Sequence, residues 1–366
     1  MQPTEEDPRF LTEQLITYIG NKRTLLPLIG RGVAAVQQLL GKQKLRVFDA
    51  FSGSGVVSRF FKQYATCLYS NDLEAYSHIL NACYLSNRSE VPQEELEEAH
   101  RELTAHIGAH PAPGIITELY APADDTAIQA GERVFYTHRN AVYLDTARKA
   151  IAQQPQHLQP YFLAPLLAQA SVHTNTSGVF KGFHKNAAGI GQFGGRGKNA
   201  LQRILAPIAL PLPVFSRFEC EHHELQMDAT AAARSLSALD LAYLDPPYNQ
   251  HPYGSNYFML NLLLNYKQPE HISEVSGIPA DWNRSAYNTR ANAATALAEL
   301  IAAIPAPFIL ISYNSEGFIC PEEMHHILNR YGKVTLMQQD YNTFRGCRNL
   351  RNRSPRVREL LFLLAR

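Results

Sequence analysis

Asp245-Pro246-Pro247-Tyr248 closes a short apolar run, Leu241-Ala242-Tyr243-Leu244. Four consecutive apolar residues bounded by a turn signal read as a buried strand. Two prolines then end it, because neither donates a backbone N–H to a ladder. A strand built this way ends in a carboxylate, a stiff turn and an aromatic ring. Those groups suit one kind of poor nucleophile, the exocyclic amine of a nucleobase, whose lone pair is delocalised into the ring. Asp245 accepts one N–H of such an amine. The Pro246 carbonyl, aimed by the proline rings, accepts the other, and the nitrogen is left with its lone pair free to attack. Tyr248 offers a face for a base swung out of a duplex. The competing reading is a proline-rich turn after a core strand.

Such a turn needs a sheet behind it, and in open α/β sheets ligands sit beyond the carboxyl ends of the strands. Residues 45–50 read as a strand, Phe51-Ser52-Gly53-Ser54-Gly55 as a loop of small residues, and 56 onward as a helix. Strand, glycine loop and helix make the first unit of a doubly wound α/β sheet. The dinucleotide fingerprint would need a third glycine at position 58, which is Ser58, and no GK[ST] follows. The loop therefore suits a nucleoside without phosphates; a purely structural turn is the alternative. Residues 67–72 read as the next strand, and Asp72 ends it, 23 residues after Asp49. An acid there binds ribose hydroxyls or caps the helix that follows. Ahead of these elements, Tyr18-Ile19-Gly20-Asn21-Lys22-Arg23 reads as a glycine turn entering a helix over 24–40.

From 87 to 237 the pattern changes. A charged helix over 94–101, Pro/Gly-rich stretches and an apolar helix over 161–170 lead to a glycine-rich basic segment with interleaved aromatics. Its Lys181, Lys185, Arg196 and Lys198 are candidates for phosphate contacts, against a solvated surface loop. After the catalytic turn come an apolar helix, a helix over 292–303 and strands at 308–312, 334–338 and 357–364. Six arginines lie between 345 and 358, and Arg345, Arg348 and Arg351 are a second candidate phosphate-binding set, unless they pair with internal carboxylates. The formal charge is only +1, so positive charge for a nucleic-acid partner has to be concentrated locally. With 45% hydrophobic residues the chain can bury a sizeable core. It has no long uncharged apolar run for a membrane span, and residues 1–9 are too acidic and polar for a signal peptide. Five scattered cysteines without C-x-x-C spacing read as reduced thiols in a cytoplasmic protein, with no metal site.

Four blocks now stand in fixed order: YIGNK, FDAFSGSG, SNDLE and DPPY. With them the chain resembles the Dam-like family of DNA adenine-N6 methyltransferases in its alpha arrangement, where cofactor blocks precede a recognition region and the catalytic block comes last. Tyr18 stands where that family usually has Trp, and Asn21 where glycine is common. The resemblance implies a Rossmann-like methyltransferase fold, a mainly parallel seven-stranded sheet with an inserted DNA-recognition region. Residues 1–86 and 238–366 would form the catalytic domain and 87–237 the insert. It implies S-adenosylmethionine held by Tyr18, Lys22, Asp49, Phe51, Gly53, Gly55, Asp72 and Asp245. It further implies catalysis by Asp245, Pro246, Pro247 and Tyr248, double-stranded DNA as partner, and a restriction–modification system with a cognate endonuclease. A cytosine-N4 or RNA methyltransferase, or a non-catalytic DNA-binding protein, is the alternative.

Overall fold

Seven strands organise the computed structural model, which describes residues 5–342 and 356–366. They are β1 (Leu45–Asp49), β2 (Ala65–Asp72), β3 (Glu221–Gln226), β4 (Leu241–Leu244), β5 (Phe308–Asn314), β6 (Lys333–Asn342) and β7 (Arg356–Ala365). The sheet order is β3-β2-β1-β4-β5-β7-β6. Pairings from β3 to β5 are parallel, while β7 runs antiparallel to both β5 and β6. The strand order reverses between β1 and β4, which opens a crevice at their carboxyl ends.

Parallel strands covered on both faces are apolar throughout rather than alternating, and β4 is buried at all four positions. On one face Val47, Leu68, Tyr243, Leu310 and Leu361 meet helices Leu26–Leu40 and Val56–Phe61. Gly32 allows the first helix to lie close: a Cβ there would sit 2.8 Å from a Leu310 methyl. On the other face Phe48, Ala242, Leu244, Ile309 and Ile311 meet helices Ala229–Ser235, Arg290–Ala303 and Pro321–Leu328.

β3 is the strand that the sequence conceals. Its residues, Glu-His-His-Glu-Leu-Gln, are polar because it is an edge strand with little of its surface covered. It pairs in register with β2 from Cys67↔Glu221 to Asp72↔Gln226. The inserted region expected to run to 237 is thus cut back, since Glu221–Gln226 and the following helix belong to the sheet and its cover.

Helices Gln93–Ala109, Ile115–Tyr120, His138–Ile151 and Gln159–Val172 make up most of the insert. They do not form a core of their own. Leu144, Phe162 and Leu166 pack in one cluster with Tyr76 and Leu80 of helix Ala75–Tyr84 and Leu260 and Leu263 of helix Phe258–Asn265. A polar clamp reinforces this junction. Buried Asp145 accepts hydrogen bonds from the backbone N–H groups of Gly114 (2.9 Å), Ile116 (3.0 Å) and Thr117 (2.8 Å). It also accepts from the hydroxyls of Thr117 (2.6 Å) and Tyr266 (2.6 Å), the latter from the catalytic part. Beside it, Arg148 donates to the carbonyls of Leu263 and Leu264 at the end of the neighbouring helix.

Asp145→Ala removes the acceptor of five donors at once. Stability should fall by at least about 3 kcal/mol, read from denaturant unfolding. A loss below about 1 kcal/mol would mean that the clamp does not join the two parts.

Candidate active site

The turn after β4 brings Asp245 to the crevice, and the loop before helix Leu26–Leu40 meets it there. Lys22, only 4% exposed, lies with its Nζ 3.0 Å from Asp245 Oδ1 and 3.1 Å from Glu359 Oε1. The same ammonium donates to the Gly20 carbonyl at 3.3 Å. Glu359, on β7, accepts from the Ser312 hydroxyl of β5 at 3.1 Å. One buried cation thus serves two carboxylates. Burial works against the Lys22 charge, but Asp245 and Glu359 outweigh it and hold its pKa well above the usual lysine value. Burial pushes the Asp245 carboxyl up to about 6, with Lys22 opposing and Glu359 adding to the rise.

Between β1 and its helix the backbone turns through left-handed conformations at Gly53 (φ +53°) and Gly55 (φ +76°). The Tyr18 ring lies directly against the first, so a Cβ on Gly53 would be 2.8 Å from it. Asp72 closes this loop from β2: one oxygen accepts from Gly53 N (2.8 Å), the other from Glu74 N (3.0 Å). The two readings of Asp72 therefore meet in one residue. It braces the entry to helix Ala75–Tyr84, whose N-cap residue is Glu74, and it also lines a cavity of about 180 Å³. Phe51, Met227, Asp228, Pro247, Tyr253 and Tyr287 line the same cavity, together with Asp245 and one edge of Tyr18. Asp49, Gly53 and Gly55 are not among its lining residues. Asp49 is fully buried beneath the loop, where it accepts from the Ser58 hydroxyl at 2.6 Å. Burial pushes its carboxyl up to about 7.

Glu74 is a lining residue that sequence reasoning missed, although it stands in the SNDLE block. It is 3% exposed and accepts from Asn261 (2.6 Å) and Asn283 (3.3 Å). Burial pushes it up to about 7. Its partners are remote in sequence, and no spacing announces them.

A second cavity, of about 770 Å³, opens on the far side of Tyr18. Gly20, Lys22, Tyr248, Asn314 and Glu359 line it from the sheet, and Thr174, Thr176, His184, Lys198 and Arg203 from the insert. The Asp-Pro-Pro-Tyr turn therefore divides the two: Asp245 and Pro247 border the smaller cavity, Tyr248 the larger, and Tyr18 both. Pro246 is buried and is among the lining residues of neither. Tyr18 is held by stacking on Tyr253 (5.0 Å between centroids) and Tyr257 (4.9 Å).

Buried Asn175 anchors the glycine-rich loop, donating to Val134 O and Gln192 O (2.8 Å each) and accepting from Gly194 N (2.9 Å). Of the basic residues expected here, Lys198 lines the large cavity. Lys181, Lys185 and Arg196 are exposed, with Lys185 resting over the Phe183 ring. Arg203 was not anticipated; it borders the cavity and donates to Thr174 O at 3.2 Å. Arg345, Arg348 and Arg351 lie outside the described residues.

The family model of the D12 class N6 adenine-specific DNA methyltransferases matches residues 18–324. The type II methyltransferase M.NlaIII of Neisseria lactamica is 28% identical over 338 residues, covering 90% of this chain and 93% of that protein. M.CviAII of Paramecium bursaria Chlorella virus 1 is 26% identical over 345 residues, with coverage of 90% and 93%. The modification methylase StsI of Streptococcus sanguinis is 28% identical over 364 residues, and there the chain spans 52% of the longer protein.

Lys22→Met would leave the half-buried Asp245 and the buried Glu359 without their cation. The Asp245 carboxyl, which burial pushes up to about 6, loses the one charge that opposes this rise, so stability is lost as pH climbs from the ordinary carboxylate value through the raised one and is retained where the group is protonated. The variant should be destabilised by roughly 3–5 kcal/mol at pH 8 and by clearly less at pH 5. Denaturant midpoints at the two pH values check this; an equal loss at both would contradict the ion cluster.

Proposed function

The chain belongs to the D12 class N6 adenine-specific DNA methyltransferase family, and we propose that its methyl donor is S-adenosylmethionine, bound in the smaller cavity, while the target adenine enters the larger one. One observation carries this reading: the Asp-Pro-Pro-Tyr turn borders both cavities, so a donor and an acceptor held in them meet across Asp245. The smaller cavity suits the donor. Phe51, Met227 and Tyr287 supply flat apolar walls, Asp72 a carboxylate for ribose hydroxyls, and Asp245 with the Tyr18 ring a setting that favours a cation.

When bound, the donor supplies a methyl carbon made electrophilic by its sulfonium. Asp245 accepts one N–H of the adenine amine and the Pro246 carbonyl the other, which frees the nitrogen lone pair to point at that carbon. Tyr248 stacks on the base and compensates part of the cost of swinging it out. The new N–C bond would form as the sulfur–methyl bond breaks and the donor leaves as a neutral thioether; positive charge passes to the nitrogen, and the Asp245 carboxylate stabilises it and then receives the departing proton. Gly53 and Gly55 shape the loop from above, and Asp49 acts on it from below through Ser58. Lys198 and Arg203, with the exposed Lys181, Lys185 and Arg196, offer phosphate contacts around the larger cavity. Arg345, Arg348 and Arg351 are proposed for the same role.

The relatives are type II methyltransferases and modification methylases. We therefore infer that this chain is the modification enzyme of a restriction–modification system, paired with an endonuclease acting on the same site. Among the described residues no helix is long and apolar enough to cross a membrane, and a cytoplasmic DNA substrate fits the proposal.

Asp245→Ala should abolish most transfer of labelled methyl to duplex DNA while leaving donor affinity within about tenfold, or roughly 1.4 kcal/mol. Mass spectrometry of the wild-type product should find N6-methyladenine. Substantial turnover by the variant would overturn the site. Asp72→Ala should weaken donor binding by about one to two decades, since a charged hydrogen bond to ribose contributes roughly 1.5–3 kcal/mol. It should also lower Tm, because two backbone amides lose their acceptor. A lower Tm with unchanged donor affinity would leave Asp72 only the brace.

A further inference from the structure

We infer that Glu359 is a positioning residue for methyl transfer: it draws the Lys22 ammonium toward β7 and keeps the cluster around Asp245 negatively charged when the target amine arrives. This rests on the reading of Asp245 as the acceptor of that amine.

One buried ammonium suffices to pair one buried carboxylate, and the pair would then be neutral. A second carboxylate leaves Lys22, Asp245 and Glu359 with an excess negative charge, which is expensive inside a protein. The fold nevertheless builds it in. β7 enters the sheet antiparallel between β5 and β6, and its register sets Glu359 opposite Asn314 at the carboxyl end of β5. The side chain is 3% exposed, its Oε1 lies 3.1 Å from Lys22 Nζ, and the Ser312 hydroxyl donates to the same oxygen at 3.1 Å. Glu359 borders the larger cavity beside Tyr248.

The arrangement answers a specific problem. The amine nitrogen becomes positive as it attacks, and a lysine ammonium shared only with Asp245 would oppose that charge. Glu359 takes part of the ammonium's hydrogen bonding and returns a net negative field to the cleft. Lys22 holds Asp245 Oδ1, so the amine is assigned to Oδ2. Glu359 need not touch the base.

Electrostatics gives the proposal a readout that packing does not share. Asp245 must be ionised to accept the amine, so transfer rises with pH through its pKa, which burial pushes to about 6 with Glu359 adding to the rise. Removing the Glu359 charge lowers that pKa. Among the described residues, the other titratable groups within reach are Asp49 on β1, Tyr243 on β4, and Tyr248 and Tyr253 beyond it. Burial above all holds Tyr243 and Tyr253 well above their usual values and so neutral. Asp49 is pushed up to about 7 and does titrate nearby. It is common to wild type and variant, so the difference between their profiles belongs to Glu359.

The test is single-turnover transfer from labelled S-adenosylmethionine, at saturation, to unmethylated genomic DNA, followed from about pH 5 to 9. Glu359→Gln keeps the shape and an acceptor for Lys22 and Ser312. Its plateau rate should fall about tenfold or more, its acid limb should move to lower pH, and its donor affinity should stay within about twofold of wild type. Glu359→Asp keeps the charge, and its limb should remain near that of wild type. An unmoved limb or an unchanged rate in Glu359→Gln would overturn the proposal. If that variant does not fold, Ser312→Ala serves instead: loss of the hydroxyl should slow transfer severalfold at unchanged donor affinity, and an unchanged rate would overturn it. Asp245→Ala is measured in parallel. Transfer by that variant would sink the assignment of Asp245 itself, whereas an inactive Asp245→Ala with an unmoved Glu359→Gln limb would sink only the role of Glu359.

Discussion

A lysine ammonium buried between two carboxylates holds three distant parts of this chain together. Lys22 comes from the loop before the first long helix, Asp245 from the end of β4 and Glu359 from β7. None of these charges is tolerable there alone, because an isolated buried ion costs several kcal/mol. The N-terminal loop is therefore tied to the two halves of the sheet that flank it. It also carries Tyr18, whose ring covers Gly53 and separates the two cavities. Disturbing the ion cluster would disturb the glycine loop and the catalytic turn together.

The insert acts as a wall of the cleft built on the same core, not as a separate body beside it. Helices Ala75–Tyr84 and Phe258–Asn265 present apolar faces that the insert's helices cover. Asp145 and Arg148 add polar contacts across the junction. The glycine-rich loop thereby sits at a set distance from Tyr248, with Asn175 fixing its base. A rigid wall of this kind suits a reaction in which an extruded base has to be held against a turn only four residues long.

Most of the sheet was readable from the sequence because β1, β4 and β5 are short, largely apolar runs placed before the glycine loop, before the Pro-Pro turn and after Pro307. β2 is more mixed and was marked by the acid that ends it, Asp72. β3 was not readable, since an edge strand of Glu, His and Gln carries no apolar pattern. In the candidate site, Asp245, Tyr18, Lys22 and Asp72 were nameable from local motifs. Their partners were not. Glu359, Glu74 and Arg203 reach the cleft through contacts with residues far along the chain, which no local spacing encodes. Asp49 shows the opposite limit: a motif position marks an acid, but only its burial beneath the loop reveals that Ser58 is its partner.

In the proposed reaction Asp245 meets the amine of an extrahelical adenine across a turn whose other side holds the donor. A crystal structure of the protein with duplex DNA and S-adenosylhomocysteine would show whether it does. The nucleoside should lie between Asp72 and Met227 and the adenine should stack on Tyr248, with its N6 about 3 Å from Asp245 Oδ2. An adenine that remains stacked in the duplex, or one whose N6 points away from Asp245 with the donor on the Tyr248 side, would contradict it.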